Sequence, residues 1–374
     1  MAGGSYDVIV VGAGPAGSTA AEITAKAGFR TLLIERYAKP GAYNSCGGGL
    51  GYFLKDLFEL PDELVLQTIS KVKLQLGDRV KEYDSGSRPI YMSVIREDFD
   101  SFLAYRARDC SAELMLSTRA MDYDPYHRKL TCLNRETREK FEVTGKIVIF
   151  ADGCQTLAWK TCRIGLPGDE PLLLGIAREM EMPPEMHLDS YEFFFDEINL
   201  PYGYFWVFPK GNIVNVGLGG PIPMVKGKID KMLDAFLETR PELKDLKVVR
   251  SNAGLIPGTI ANKFHGAGVM VVGDAAGFLN PLTGGGIFLG MKSAQYAAKT
   301  AIEALQNGRY DSHFLARYTH RIKFSAIYPS VRFFEYLVKW SQNYRRKTGK
   351  PMLGHVFRVY SDLMAVLLKF IKDV

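Results

Sequence analysis

The stretch that most constrains this chain is Tyr6-Asp-Val-Ile-Val-Val-Gly12-Ala-Gly14-Pro-Ala-Gly17. Val8 to Val11 form an apolar run of the kind that makes a buried parallel strand. The strand must turn sharply at Gly12, leave room for a close-approaching anion at Gly14, and let a helix press on the sheet at Gly17. The Ala-rich segment from Ser18 to Ala27 predicts that helix, with its first N–H groups aimed at a pyrophosphate. Past Gly28 a second apolar strand, Thr31 to Ile34, ends in Glu35. A carboxylate there, about 20 residues beyond the glycines, suits the ribose hydroxyls of an adenosine. A lone G-x-G-x-x-G is weak, but strand, glycines, helix, strand and acid in register predict a Rossmann-type cradle.

The chain has 374 residues, too many for one simple core, and predicts two interleaved domains. Its five cysteines (46, 110, 132, 154 and 162) are scattered, without the spacing of a metal site. With no leader read at the N-terminus, a reducing, cytoplasmic setting is expected. No apolar run approaches the ~20 residues that span a bilayer. The net charge of +6 is concentrated at the C-terminal end, where Arg332 to Val374 hold nine Lys/Arg against three acids. Aromatic-interleaved basic motifs are missing, so nucleic acid is not an expected partner. A membrane surface, bound peripherally by a monomer, is.

After the first unit comes Cys46-Gly-Gly-Gly49, too glycine-rich for helix or strand. Cys46 is there either as a small buried residue or as a thiol facing a cofactor. Lys71 to Leu76 and Ile90 to Val94 read as strands, and Leu54 to Phe58 as a short helix. Arg96 stands ahead of a helical stripe at 99, 102 and 103, placed to close on a phosphate or ring edge. Leu114 to Met121 reads as one strand; Lys129 to Leu133 and Lys140 to Val143 as a hairpin; Lys146 to Phe150 as a strand ending at Asp152-Gly153. Residues 172 to 220 alternate as an antiparallel sheet, and Ile229 to Thr239 form an amphipathic helix. Gly268 to Gly273 returns the chain to the first sheet. There Asp274, the Gly277–Gly286 loop and a helix from Ile287 make a second cradle. Two such cradles imply a ligand longer than a mononucleotide.

Three blocks together resemble the flavoproteins of the p-hydroxybenzoate-hydroxylase-like fold: Gly12/Gly14/Gly17 with Glu35, Ala151-Asp152-Gly153, and Gly273-Asp274 with its glycine loop. The resemblance covers residues 1 to about 325 and implies FAD. It assigns Gly12, Gly14, Ala16, Gly17, Glu35 and Arg36 to the ADP part and Asp274 to the ribityl–pyrophosphate region. Gly285, Gly286 and Ile287 lie, by resemblance, beside the flavin ring, with Arg96 and Ala120 as further contacts. Within that group the chain looks like the geranylgeranyl reductases. Pro201-Tyr-Gly-Tyr204-Phe-Trp206-Val-Phe208-Pro209 is similar to that family's P-x-x-Y-x-W-x-F-P stretch, which implies that Tyr204, Trp206, Phe208 and Pro209 line an isoprenoid cavity. Cys46 to Gly49, including Gly47, is similar to its cysteine–glycine loop near the flavin.

The expectation is therefore an α/β (α+β overall) protein: a Rossmann-type FAD-binding domain (1–70, 96–165, 268–325), an inserted antiparallel-sheet substrate domain (71–95, 166–267) and a C-terminal helical region (326–374). Its expected activity is FAD-dependent saturation of geranylgeranyl double bonds, on the diphosphate or a glycerophospholipid, as in archaeal membrane-lipid biosynthesis. NAD(P)H or ferredoxin supplies the electrons. No side chain can donate hydride, so reduced FAD must; Cys46, a weak acid, either gives the proton or only shapes the pocket. Residues 352–371 have the pattern of a basic amphipathic helix for a membrane interface, or of a cap on the substrate domain. Competing readings are a prenylquinone (menaquinone) reductase, a flavin-dependent aromatic hydroxylase, and a flavin halogenase, whose W-x-W-x-I-P signature is absent.

Overall fold

The computed structural model describes residues 4–43, 46–167 and 172–350, with 352 and 356. The chain divides into two compact units, 1–43 with 96–172 and 256–333, and 44–95 with 173–255 and 334–374.

The first unit is built on the strand Ser5–Val11, which lies between Lys140–Phe150 and Thr31–Ile34 and runs parallel to both. Val269–Val271 and Glu113–Met115 extend the parallel set outward on either side. Val8, Ile9, Val10, Leu32, Leu33 and Ile147 to Phe150 are fully buried, as strands covered on both faces must be. The hairpin Thr118–Asp124/Lys129–Asn134 joins antiparallel. Gly17, Ala20 and Ala21 of the helix Pro15–Lys26, and Ala294, Ala297 and Ala301 of the helix Ile287–Gln306, are buried small residues that let the two helices approach closely.

Two local expectations change. Leu114 to Met121 is not one strand, because Ser117 has a left-handed φ of 48° and gives its N–H to Tyr37 O. The break lets one piece pair with Thr31–Ile34 and the other with Lys129–Asn134. Conversely, Lys140–Phe150 is one long strand that serves both the hairpin and the parallel sheet.

The second unit has a seven-stranded sheet in the order Val248–Pro257, Leu172–Glu181, Ile213–Pro221, Tyr204–Lys210, Ser190–Phe195, Lys71–Leu76, Arg79–Asp84. Its central pairs are antiparallel as expected, but Ser190–Phe195 runs parallel to Lys71–Leu76. One face packs Ile176, Phe205, Val207, Val216 and Leu218 under Leu233 and Leu237 of the helix Ile229–Glu238. A small sheet of Gly49–Gly51, Tyr91–Ser93 and Gln67–Ile69 completes it. That sheet explains where the division differs from the expected boundaries: Gly49–Gly51 and Gln67–Ile69, expected in the first domain, pair with Tyr91–Ser93. Residues 256–267 go the other way, because Ile260, Ala261 and Phe264 belong to the first unit's core. The helix Ile327–Thr348 begins the C-terminal region; of the expected interfacial helix 352–371, all but 352 and 356 lie outside the described residues. Among the described residues no helix is long and apolar enough to cross a membrane.

Candidate active site

In the first unit the three glycines of the opening turn differ in what surrounds them. Gly12 has φ +101°, and a Cβ there would stand 2.5 Å from Ala151 O. A Cβ on Gly17 would run into the Gly12 carbonyl, whereas one on Gly14 would meet nothing within 4 Å among the described residues. Gly12 and Gly17 are thus demanded by the protein's own packing, and Gly14 borders open space. That space lies at the start of the helix Pro15–Lys26, which has no side-chain cap and no acid in its first turn. Its N–H groups are left for an anion.

Glu35 is buried, and its two oxygens accept from Ala13 N and Tyr37 N, each at 3.0 Å. Burial pushes its carboxyl above the usual range, with those two hydrogen bonds pulling the other way. The middle and late blocks converge on the same turn. Asp152 Cα lies 3.3 Å from the Cβ position of Gly12, and Ala16 Cβ lies 3.0 Å from that of Gly273. Asp152 Oδ2 accepts from Leu157 N at 2.7 Å, but Oδ1 is buried with no hydrogen-bond partner among the described residues. A buried carboxylate oxygen left in that state calls for a donor such as a cofactor hydroxyl. Asp152 was not among the expected contact residues, although the Asp-Gly at a strand's end was its signal.

Asp274 Oδ1 stands 3.3 Å from the Cβ position of Gly286. Burial raises its carboxyl, against the lowering effect of the Arg96 charge. Gly285 is exposed, Gly286 caps the helix that Ile287 begins, and that helix too has no side-chain cap or first-turn acid. Two uncapped helix starts, an empty direction at Gly14 and an orphaned carboxylate oxygen fit a dinucleotide cofactor. The other expected contacts stand differently. Arg96 spends its fork on Asp100, through Nε–Oδ1 and Nη2–Oδ2 bonds of 2.9 Å. Arg36 is exposed, its guanidinium 4.9 Å from the centre of the Tyr37 ring. Ala120 is a half-buried hairpin residue paired with Cys132.

In the second unit, Tyr204, Trp206, Phe208 and Lys210 alternate onto the sheet face opposite the core. Tyr191 and Phe193 of the neighbouring strand complete an aromatic surface: Tyr191 stacks on Phe208 with centroids 4.2 Å apart, and Phe193 meets Phe208 at 5.1 Å and Tyr204 at 5.6 Å. Trp206 is oriented by a 2.8 Å bond from Nε1 to Asn215 Oδ1. Pro209 does not share this face. Its register places it with Phe205 and Val207, and its contribution is a carbonyl that accepts from Ser93 Oγ at 2.5 Å. On the adjoining strand, Gly217 and Gly219 pair with Trp206 and Tyr204. A Cβ on Gly217 would collide with the Trp206 indole, while one on Gly219 would have no neighbour nearer than 3.7 Å. Neither glycine was singled out from the sequence, where they read only as small strand residues.

The cysteine–glycine loop lies on this same surface. A Cβ on Gly47 would stand 2.7 Å from the Phe208 ring, one on Gly48 2.6 Å from Lys210 Nζ, and one on Gly49 2.7 Å from the Tyr191 ring. Two motifs far apart in the chain therefore form one structure, with glycine required wherever loop meets wall. Cys46 Sγ accepts from Gly48 N at 3.4 Å. Burial raises the Tyr204 phenol far above its usual value, and the neighbouring Cys46 and Tyr91 push in the same direction. The wall offers apolar contact and few competing donors.

The fold and first-unit cradle define an FAD-dependent oxidoreductase, and residues 7–161 match the FAD dependent oxidoreductase family. Residues 176–256, which hold the aromatic strand, match the geranylgeranyl reductase catalytic domain. The chain is 34% identical over 335 residues to the digeranylgeranylglycerophospholipid reductase 2 of Methanothermobacter thermautotrophicus, covering 84% of this chain and 83% of that one. It is 31% identical over 353 residues to the digeranylgeranylglycerophospholipid reductase of Methanococcus aeolicus, covering 90% and 88%. It belongs to the geranylgeranyl reductase family. A geranylgeranyl bacteriochlorophyll reductase-like protein of Thermoplasma acidophilum, solved by crystallography, superposes with a TM-score of 0.82 at 27% identity, covering 90% of this chain and 87% of that one. A myxobacterial chondrochloren halogenase, at TM-score 0.69 and 17% identity over 89% and 82% of the two chains, shares the fold alone.

Proposed function

We propose that this chain saturates the double bonds of geranylgeranyl groups on a glycerophospholipid, the substrate named for its relatives in Methanothermobacter and Methanococcus. The observation that carries the reading is the aromatic sheet face of Tyr204, Trp206 and Phe208 with a thiol-bearing loop seated on it. When bound and reduced, FAD would supply the hydride for one alkene carbon. The first unit's Gly14 turn, Glu35, Asp152 and Asp274 hold that cofactor. The aromatic face binds the prenyl chain, excludes water and fixes the alkene. Cys46 gives its proton to the second carbon and is reprotonated from solvent, so each double bond gains two hydrogens. Electrons come from a nicotinamide or ferredoxin, and the enzyme works as a cytoplasmic monomer, peripheral on the membrane. The exposed Phe333, Tyr336 and Trp340 on one side of the helix Ile327–Thr348 suit such a surface.

Anaerobic incubation of the purified flavoprotein with dithionite and geranylgeranyl phospholipid, read by mass spectrometry, tests this. Stepwise gains of two hydrogens are expected. Gain only on prenylquinones would transfer the reading to the quinone reductase. No gain on any prenyl substrate with the flavin reduced, together with oxygen uptake on phenols, would replace it with the hydroxylase.

A further inference from the structure

Lys210 is the one charged residue on the aromatic face of its strand, and it is 1% exposed. Its Nζ donates to Glu179 Oε1 at 2.8 Å, and Arg250 lies 3.9 Å from the other Glu179 oxygen. A buried ion pair costs more desolvation than a well-packed apolar pair in the same space, so a methionine here would serve the core at least as well. One carboxylate also cannot engage all three ammonium hydrogens in hydrogen bonds. The rest of the ammonium borders the loop: Nζ stands 2.6 Å from the Cβ position of Gly48, whose φ is +72° and whose Cβ position lies closer still to Val94 O. Gly48 is also the residue whose N–H holds Cys46 Sγ, and its carbonyl takes Val94 N at 2.9 Å. The ammonium therefore bears on a residue that both holds the thiol and bonds Val94, next to the strand Tyr91–Ser93.

We propose that Lys210, held by Glu179, is a positioning residue of the reduction: it seats the Cys46–Gly49 loop on the aromatic face and so fixes where the thiol stands. The inference rests on the proton-donating role given to Cys46 above. Gly47 is braced by flat rings, over which a loop can slide, and Gly49 opens the strand that pairs with Tyr91–Ser93. Gly48 is braced by a charge whose own place is set by Glu179 on one strand and by the Lys210 backbone on another. Removing the charge leaves the wall intact and frees the loop.

The test compares the FAD-loaded full chain with its Lys210→Met variant. Amide hydrogen exchange over residues 47–51 is expected to quicken about tenfold, with the strands of the seven-stranded sheet unchanged. With reduced FAD and prenyl phospholipid, kcat is expected to fall about tenfold and KM to stay within about twofold, since the wall still binds the chain. In deuterium oxide, solvent deuterium at the protonated carbon is expected on one face with the native chain and on both faces with the variant. A fold-stabilising role alone would not scramble it. Unchanged exchange together with unscrambled label would overturn the proposal, as would a rise in KM at constant kcat. Should Lys210→Met fail to fold, Glu179→Gln, which keeps the shape and removes the anchoring charge, is expected to move both readouts in the same direction; no movement counts against the proposal. Cys46→Ala in the native background separates the two ideas: full kcat there sinks the proton-donor role, while the exchange measurement still reports whether Lys210 seats the loop.

Discussion

Gly14 and Gly17 stand one helical turn apart and tolerate a methyl group in opposite ways. Gly14→Ala places its Cβ in open space, so the FAD-free protein is expected to melt like the native one. FAD affinity, read by titration of the flavin absorbance, should drop at least about tenfold, because the methyl occupies the pyrophosphate's approach. Gly17→Ala meets the Gly12 carbonyl and is expected to cost about 1–3 kcal/mol or more by overpacking, seen as a lower melting temperature even without FAD. Both glycines were legible from spacing, but only the structure says which serves the ligand and which the fold. Asp274 gives a pH-dependent case. Burial raises its carboxyl, so above the ordinary value of about 4 the folded chain keeps a proton that the unfolded chain loses, and stability falls as pH rises through the raised value. Asp274→Asn is therefore expected to raise the melting temperature of the FAD-free protein at pH 7 by about 2 °C or more, and to change it little at pH 4. Equal shifts at both pH values would remove the charge from the explanation. Asp152 escaped sequence reasoning as a contact because an Asp-Gly turn ends many strands; its unpartnered oxygen exists only once Gly12 and Leu157 are in place.

Among the elements, the strand Tyr204–Lys210 was the most legible, since a period of two puts Tyr204, Trp206 and Phe208 on one side whatever the fold around them. Its neighbours were not. Gly217 matters because register sets it under Trp206, and register is a long-range property that one strand's sequence does not carry. Gly217→Ala is expected to dislodge the indole from Asn215 and lower kcat/KM for the prenyl substrate about tenfold or more, with FAD content unchanged. The parallel pairing of Lys71–Leu76 with Ser190–Phe195 was hidden for the same reason, as was the break at Ser117, where a hydrogen bond to Tyr37 O decides the chain's course.

At the scale of the whole chain, composition and length pointed to two interleaved domains, and two units are present, though divided differently. The differences include residues 44–70, whose lone strands Gly49–Gly51 and Gln67–Ile69 are too short to advertise a partner, and residues 256–267, which the first unit's core claims through Ile260, Ala261 and Phe264. Net charge is likewise a property of the whole molecule, and here its +6 equals the excess between Arg332 and Val374. Deleting residues 352–374 removes three Lys/Arg and two acids but many more apolar residues, so it is expected to leave FAD binding intact and to weaken sedimentation with vesicles through lost apolar contact, with little dependence on salt. Undiminished vesicle binding by a folded truncation would move the membrane contact to the aromatic side of the helix Ile327–Thr348.

The three consecutive glycines pressed on the aromatic face also bear on how the enzyme should respond to heat. Glycine surrenders more conformational entropy on ordering than any other residue, and this triplet, pressed close to Phe208, Lys210 and Tyr191, is tied to its neighbours at one end, through Val94 and Ser93. Warming favours its release well before the sheet beneath it melts. Turnover should then peak and decline at temperatures where circular dichroism still reports an intact protein, and recover on cooling.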